Sequence, residues 1–149
     1  MGTITRAEAP LTARSATNWW LLAVGAGVVE TLVQVGVALG SDVSTSAIAG
    51  QIAVRAIIYG ALFVVIDRYF RRGVRWARVL LAGVLGTVGV VSLVTEPIGW
   101  LVDNGDFSTI HWSAGFLVIA ALRAVHLTAV ISALVLTFHR DTTRWFADG

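Results

Sequence analysis

Six polar side chains lie inside stretches that are otherwise apolar: Glu30, Gln34, Gln51, Arg55, Arg123 and His126. The chemistry open to them is limited. A carboxylate and a guanidinium make a charge-assisted hydrogen-bonded pair, a guanidinium without one can hold an anion, a lipid phosphate or a partner's carboxylate, and an imidazole with an ordinary pKa of about 6.5 can relay protons. At the centre of a bilayer an Arg or Asp costs about 2.5 to 3.5 kcal/mol on the insertion scale. Each ion in such a stretch therefore needs a partner or a wet cavity.

The spacing sharpens this. Glu30 and Gln34 are four apart, as are Gln51 and Arg55, so each pair occupies one helical face. A single antiparallel register then sets Glu30 against Arg55 and Gln34 against Gln51. At about 1.5 Å per residue, Glu30 lies roughly 13 Å, Arg55 roughly 12 Å and Arg123 roughly 14 to 18 Å below the same end of their segments. One carboxylate faces two guanidiniums, so Arg123 either chelates Glu30 as well, bonds backbone carbonyls, or stays free for a ligand. His126 follows Arg123 at i+3, on the same face and one turn deeper. Its plain reading is a neutral, hydrogen-bonded imidazole; its functional reading is a proton relay. All three histidines, His111, His126 and His139, lie in or beside one segment, so a monomer offers no bis-histidine haem ligation between facing helices. Wide histidine spacing and the absence of cysteine also argue against structural zinc. No cofactor and no metal is expected.

The elements that must carry these residues are set by composition. Of 149 residues 56% are hydrophobic and 13% charged, against about 25% charged in soluble domains. Four windows reach the roughly 20 apolar residues that a spanning helix needs: Trp19 to Leu39, Ala47 to Ile66, Trp76 to Val94, and about His111 to Phe138. Between them lie Gly40 to Ser46, Asp67 to Arg78 and Thr95 to Ile110, each with turn or breaker chemistry, including Glu96-Pro97 and Asp103-Asn104-Gly105-Asp106. The apolar runs are continuous, without the period-two alternation of a barrel. The expected fold is all-α, a four-transmembrane-helix antiparallel bundle in one domain.

Every basic residue is an arginine, and nine of the eleven lie in two tails and one loop. The N-terminal tail holds Arg6 and Arg14, the middle loop Arg68, Arg71, Arg72, Arg75 and Arg78, and the C-terminal tail Arg140 and Arg144. The other two loops carry only acids, Asp42, Glu96, Asp103 and Asp106. The positive-inside rule then puts both termini and the middle loop in the cytoplasm, N-in/C-in. Trp19, Trp20, Trp76, Trp100, Trp112 and Trp145 fall near segment ends, as interfacial anchors do. Ala38-Leu39-Gly40 resembles a signal-peptide cleavage site, but the stretch before it is too long for a signal core, starts late and contains Glu30. An uncleaved helix is expected.

Gly83, Gly86 and Gly89 with Ala82 and Ser92 give segment three a small-residue face for close packing or self-association, and Ala120, Ala124, Thr128 and Ser132 form a similar stripe in segment four. Segment three carries no charge and is the expected apolar packing helix. The arginines of the middle loop, interleaved with Tyr69, Phe70 and Trp76, determine topology, or contact anionic lipid headgroups. Asp67 can pair with Arg71 at i+4. The acidic loop lacks the alternating ligands of an EF-hand and reads as a turn, Ser108 or Thr109 can cap the last helix, and Ile98 to Val102 can lie flat at the interface. Residues 1–18 are expected to be a mobile tail.

At Arg75-Trp76-Ala77-Arg78, opening a helix after a basic loop, the chain resembles small four-helix membrane proteins common in actinobacteria. The resemblance covers the hydropathy profile and this short motif, and implies no activity or site residue. Arginine without lysine, with abundant Ala, Val and Gly, points to a high-GC bacterial genome and hence a cell membrane. No basic face suggests nucleic acid, and no nucleophile with a base or phosphate-cradling loop suggests an enzyme. Two functions are expected from what is left: an accessory or assembly-forming subunit, homo-oligomeric or in a larger complex, or a small transporter or channel for an anion or protons.

Overall fold

The computed structural model describes residues 8–40, 42, 44–103 and 105–148, apart from the side chain of Thr109. Among them the chain is helical with no strand. Four helices are long and apolar enough to cross a membrane: α1 (Leu11–Leu39), α2 (Thr45–Arg72), α3 (Arg75–Asp103) and α4 (Ala114–Thr137). A short α5, Arg140–Ala147, follows. Even α4, with 24 residues, is about 36 Å long, more than the roughly 30 Å of hydrocarbon. Arg6, Ser41 and Asn104, which the sequence places in the first tail and two loops, lie outside the described residues.

Four boundaries differ from the expected ones, each for a physical reason. The first is the end of α2, which runs past Ile66 through the expected loop to Arg72 before Gly73 stops it. α1 starts at Leu11, where Pro10 provides extended backbone before the first turn. Residues 11–18 of the predicted mobile tail are thus helix, held because Ala13, Ala16 and Thr17 are buried and Thr142 Oγ1 donates to Thr12 Oγ1 at 2.8 Å. α3 continues through Glu96 and Pro97 to Asp103. Proline removes one N–H from the ladder, but such a loss is tolerated in spanning helices, and the flanking apolar residues keep the helix going. Ile98 to Val102 are therefore its last turns and do not form an interfacial segment. α4 begins at Ala114, because Ser113 Oγ accepts the Phe116 N–H at 3.1 Å. Ser108 has a different partner: its N–H and hydroxyl donate to Asp106 at 2.9 and 2.6 Å. Those two bonds hold the Asp106 carboxyl below the ordinary carboxylate range and close the turn before α4.

Two stretches wind wider than an α-helix, as π-helical turns at Val65–Tyr69 in α2 and Val84–Gly89 in α3. After the first, α2 tightens into a 3-10 turn and stops at Gly73, whose φ of 69° and ψ of 30° are left-handed. The Gly73 N–H donates to Phe70 O at 2.9 Å and the Val74 N–H to Tyr69 O at 3.0 Å. This is a Schellman closure, for which glycine suits the left-handed position. Gly73→Ala is expected to cost about 1 kcal/mol, and Gly73→Asn less, in denaturant titrations of the purified protein.

The core is concentrated at the end of the molecule where the termini and the α2–α3 turn meet. α1 packs most extensively on α4 through Ala16, Trp20 and Ala23 on one helix and Ala129, Val130 and Ala133 on the other, all buried, while Gly27 makes room for Tyr59 of α2. Trp20 is completely buried and its Nε1–H donates to Thr137 Oγ1 at 3.0 Å. The expectation that it anchors the interface is corrected: small residues on α4 open a slot wide enough for an indole. The stripe that makes that slot is Ala129, Ala133 and Thr137; Ala120, Ala124 and Thr128 face outward. Of the α3 glycines, Gly86 makes the tight approach, since a Cβ there would meet Leu134 of α4 at 3.0 Å.

α5 completes this end. Phe146 is 1% exposed and meets Phe70 with ring centroids 5.1 Å apart. Arg75 Nε donates to Phe146 O at 3.0 Å and its Nη2 donates to Ala147 O, so an arginine from α3 satisfies the last carbonyls of α5. Toward the opposite end the helices are far less covered, and from Thr45 to Val64 α2 buries only Ile48 and Leu62.

Candidate functional site

In the thinly covered half, the polar residues form one continuous chain. Arg55 on α2 donates through Nη1 to Gln34 Oε1 at 2.9 Å and to Thr31 Oγ1 at 3.1 Å. The Gln34 Nε2 donates to Glu30 Oε1 at 3.1 Å, and the same oxygen accepts from Arg123 Nε on α4 at 3.0 Å. Arg123 Nη2 then reaches Glu96 Oε2 on α3 at 2.5 Å. Every spanning helix thus contributes at least one link. Counted from helix ends, Glu30, Arg55 and Arg123 lie about 14 to 15 Å and Glu96 about 10 Å deep, so all four charges share a layer.

The pairing differs from the predicted register. Glu30 is 7% exposed, and its carboxylate is taken by Arg123, a direct charge-assisted partner. Gln34 stands between it and Arg55, with one end of its amide serving each, as an amide that is both donor and acceptor can. Thr31, whose hydroxyl also donates to Gly27 O at 2.8 Å, supplies the second acceptor for Arg55. Gln51 belongs to no buried layer: it is exposed and makes no hydrogen bond among the described residues. Arg123 is paired at both ends. The carboxylate missing from the sequence-level charge count is Glu96, and α3 is not an uncharged helix.

These groups surround a cavity of 450 Å³ between the helices, lined by Glu30, Gln34, Arg55, Tyr59, Arg123 and His126 together with apolar side chains of α2 and α3. Val84, Leu85, Val88 and Gly89 of the π-helical turn form part of its wall, and such turns in helices recur at functional sites. His126 is 6% exposed, and neither ring nitrogen has a hydrogen-bond partner among the described residues. Leaving such a group unsatisfied costs about 1 to 3 kcal/mol. The plain reading of a hydrogen-bonded core histidine is therefore corrected.

The arginines of the middle turn divide. Arg71 pairs with Asp67 at 2.7 Å, at the i+4 spacing read from the sequence. Arg75 holds the end of α5, and the Arg78 guanidinium stacks over Phe138 at 4.6 Å. Arg68 and Arg72 are exposed and join no ion pair among the described residues. His111 is exposed near the start of α4, and His139 caps α5 through Nδ1. No group of three or more metal-ligating side chains occurs among the described residues. No family model matches the chain, and neither a curated protein nor a solved structure matches it.

Proposed function

We propose that this chain is a multi-pass protein of a bacterial cell membrane, an antiparallel four-helix bundle with both termini and the arginine-rich turn in the cytoplasm, and that it works as an accessory or assembly-forming subunit and not as an enzyme. The supporting observation is the polar chain from Arg55 to Glu96, which draws on all four spanning helices and makes their mutual register specific. Apolar side chains that stay exposed along α2, such as Ile52, Val54, Ile57 and Phe63, face lipid or a protein neighbour. Arg68 and Arg72, beside the membrane, meet anionic headgroups, each such contact contributing about 1 kcal/mol.

Orientation is directly testable because the chain has no native cysteine. Asp42→Cys and Asp106→Cys are expected to react with an impermeant maleimide on intact cells, and Arg71→Cys only after permeabilisation. The reverse pattern removes the N-in/C-in assignment. Crosslinking followed by sizing in detergent, with co-purified proteins identified, tests the assembly role; a monomer without partners contradicts it.

The cavity and the unpartnered His126 favour a second reading, passage of an anion or protons. Reconstituted vesicles separate the two. A transport role requires flux that changes in Arg55→Gln and His126→Gln, and unchanged flux in both removes it.

A further inference from the structure

The cavity is electrically divided. On one side Glu30, Arg123 and Glu96 form a triad with one more carboxylate than guanidinium. On the other, Arg55 is bonded only to the neutral oxygens of Thr31 and Gln34, through one of its three nitrogens. It has no carboxylate partner among the described residues, and it lines the cavity. A guanidinium presents five N–H donors in a planar fork suited to a carboxylate, so Arg55 has donors to offer an anion. The apolar part of the wall, including Ile58, Leu62 and Val88, suits a ligand with an apolar body. A volume of 450 Å³ lies within the usual range for small-molecule sites.

An anion on Arg55 leaves the cavity with one net negative charge. The group placed to cancel it is His126, a buried imidazole with two unpartnered nitrogens within electrostatic reach of Glu30. The other titratable or charged groups around the same space are Glu30 on α1, Arg55 and Tyr59 on α2, Glu96 on α3 and Arg123 on α4. Both carboxylates bond Arg123, so neither is placed to answer a charge arriving at Arg55. We propose that this cavity binds a small weak acid, taken up as a monoanion on Arg55 together with one proton on His126. Charge balances, because each monoanion is accompanied by one proton, which the imidazole takes from solution at a pH where the acid is already ionised. The proposal deepens the transport reading and rests on its cavity, but concerns binding, so a protein that binds without moving its ligand is told apart from one that does neither.

The test is calorimetry on the full chain in nanodiscs of zwitterionic lipid at about pH 6.5, with benzoate as probe and benzyl alcohol as its neutral counterpart, in two buffers of different ionisation enthalpy. Saturable benzoate binding with uptake of about one proton is expected, with the alcohol at least about tenfold weaker. Arg55→Gln is expected to weaken benzoate by about tenfold or more, and His126→Gln to abolish the proton uptake. Octanoate binding more tightly than benzoate places the natural acid in the bilayer; the opposite order places it in water. Absence of saturable binding for both acids, unchanged affinity in Arg55→Gln, or unchanged proton uptake in His126→Gln overturns the proposal. Size exclusion and circular dichroism check that each variant is folded. If Arg55→Gln does not fold, Arg55→Lys, which keeps the cation and loses the fork, is expected to show the weaker benzoate binding, and equal affinity there counts against the site.

Discussion

Arg123→Gln is expected to lower the stability of the purified protein by about 3 kcal/mol, read as a shifted midpoint in a detergent-denaturation titration. The size follows from what the substitution leaves behind. Glu30, one carboxylate partner of Arg123, is nearly enclosed, and stranding one member of a buried pair costs about 3 to 5 kcal/mol. The lower end applies because the Arg123 side chain is itself 22% exposed and so not fully enclosed. Second substitutions separate its two partners. Adding Glu30→Gln to Arg123→Gln is expected to restore most of the loss, since the buried charge goes too. Adding Glu96→Gln should restore little, because that side chain is 73% exposed, is not enclosed by protein as Glu30 is, and lies near enough to the helix end to reach toward the headgroups. Equal rescue by both second substitutions would mean that the two carboxylates are equivalent and that the observed geometry misplaces them.

Phe146→Ala is expected to be as severe, at about 3 to 4 kcal/mol, although it lies in what the sequence suggests is a terminal tail. The ring is fully enclosed against Phe70 and Trp145, and the Arg78 guanidinium stands 5.9 Å from it. Truncating it opens a void that several rigid elements border, so collapse is limited and the cost is high. Phe146→Leu keeps much of the volume and should lose less than half as much. The same titration with Ala147→Gly gives the control: that side chain is exposed, while the carbonyl that Arg75 binds belongs to the backbone and survives. A loss for Phe146→Ala no larger than for Ala147→Gly would mean that α5 is not docked.

The spanning helices were legible from hydrophobic length, and so were three of the four charges in the polar layer, because an ion in an apolar run stands out. Glu96 was hidden by its neighbour. Glu-Pro reads as a break in soluble chains, whereas a spanning helix tolerates it, and the surplus guanidinium in the predicted layer was the available sign that a carboxylate was missing. The register through Gln51 failed because pairing by helical face assumed that adjacent segments are each other's main partners. α1 instead lies mainly on α4, the last span, and no local pattern announces a long-range choice of that kind. Trp20 misled for a related reason: aromatic residues near a predicted end suit an interface or a core equally, and only the alanines of a distant helix decide which. The α5 docking, made by Phe146, Thr142 and two backbone carbonyls, has no signature in composition at all.

The wide turn Val84–Gly89 has an effect well beyond its own length. A π-helical turn holds one residue more than an α-turn, so everything after it is rotated by about 100° relative to an uninterrupted α-helix. Glu96 comes roughly two turns later. Wound without that extra residue, α3 would carry the same carboxylate at the same depth but about a quarter of the way round its axis, away from Arg123. The phase of the helix, set by one surplus residue in the cavity wall, is therefore what aims the second carboxylate at its guanidinium.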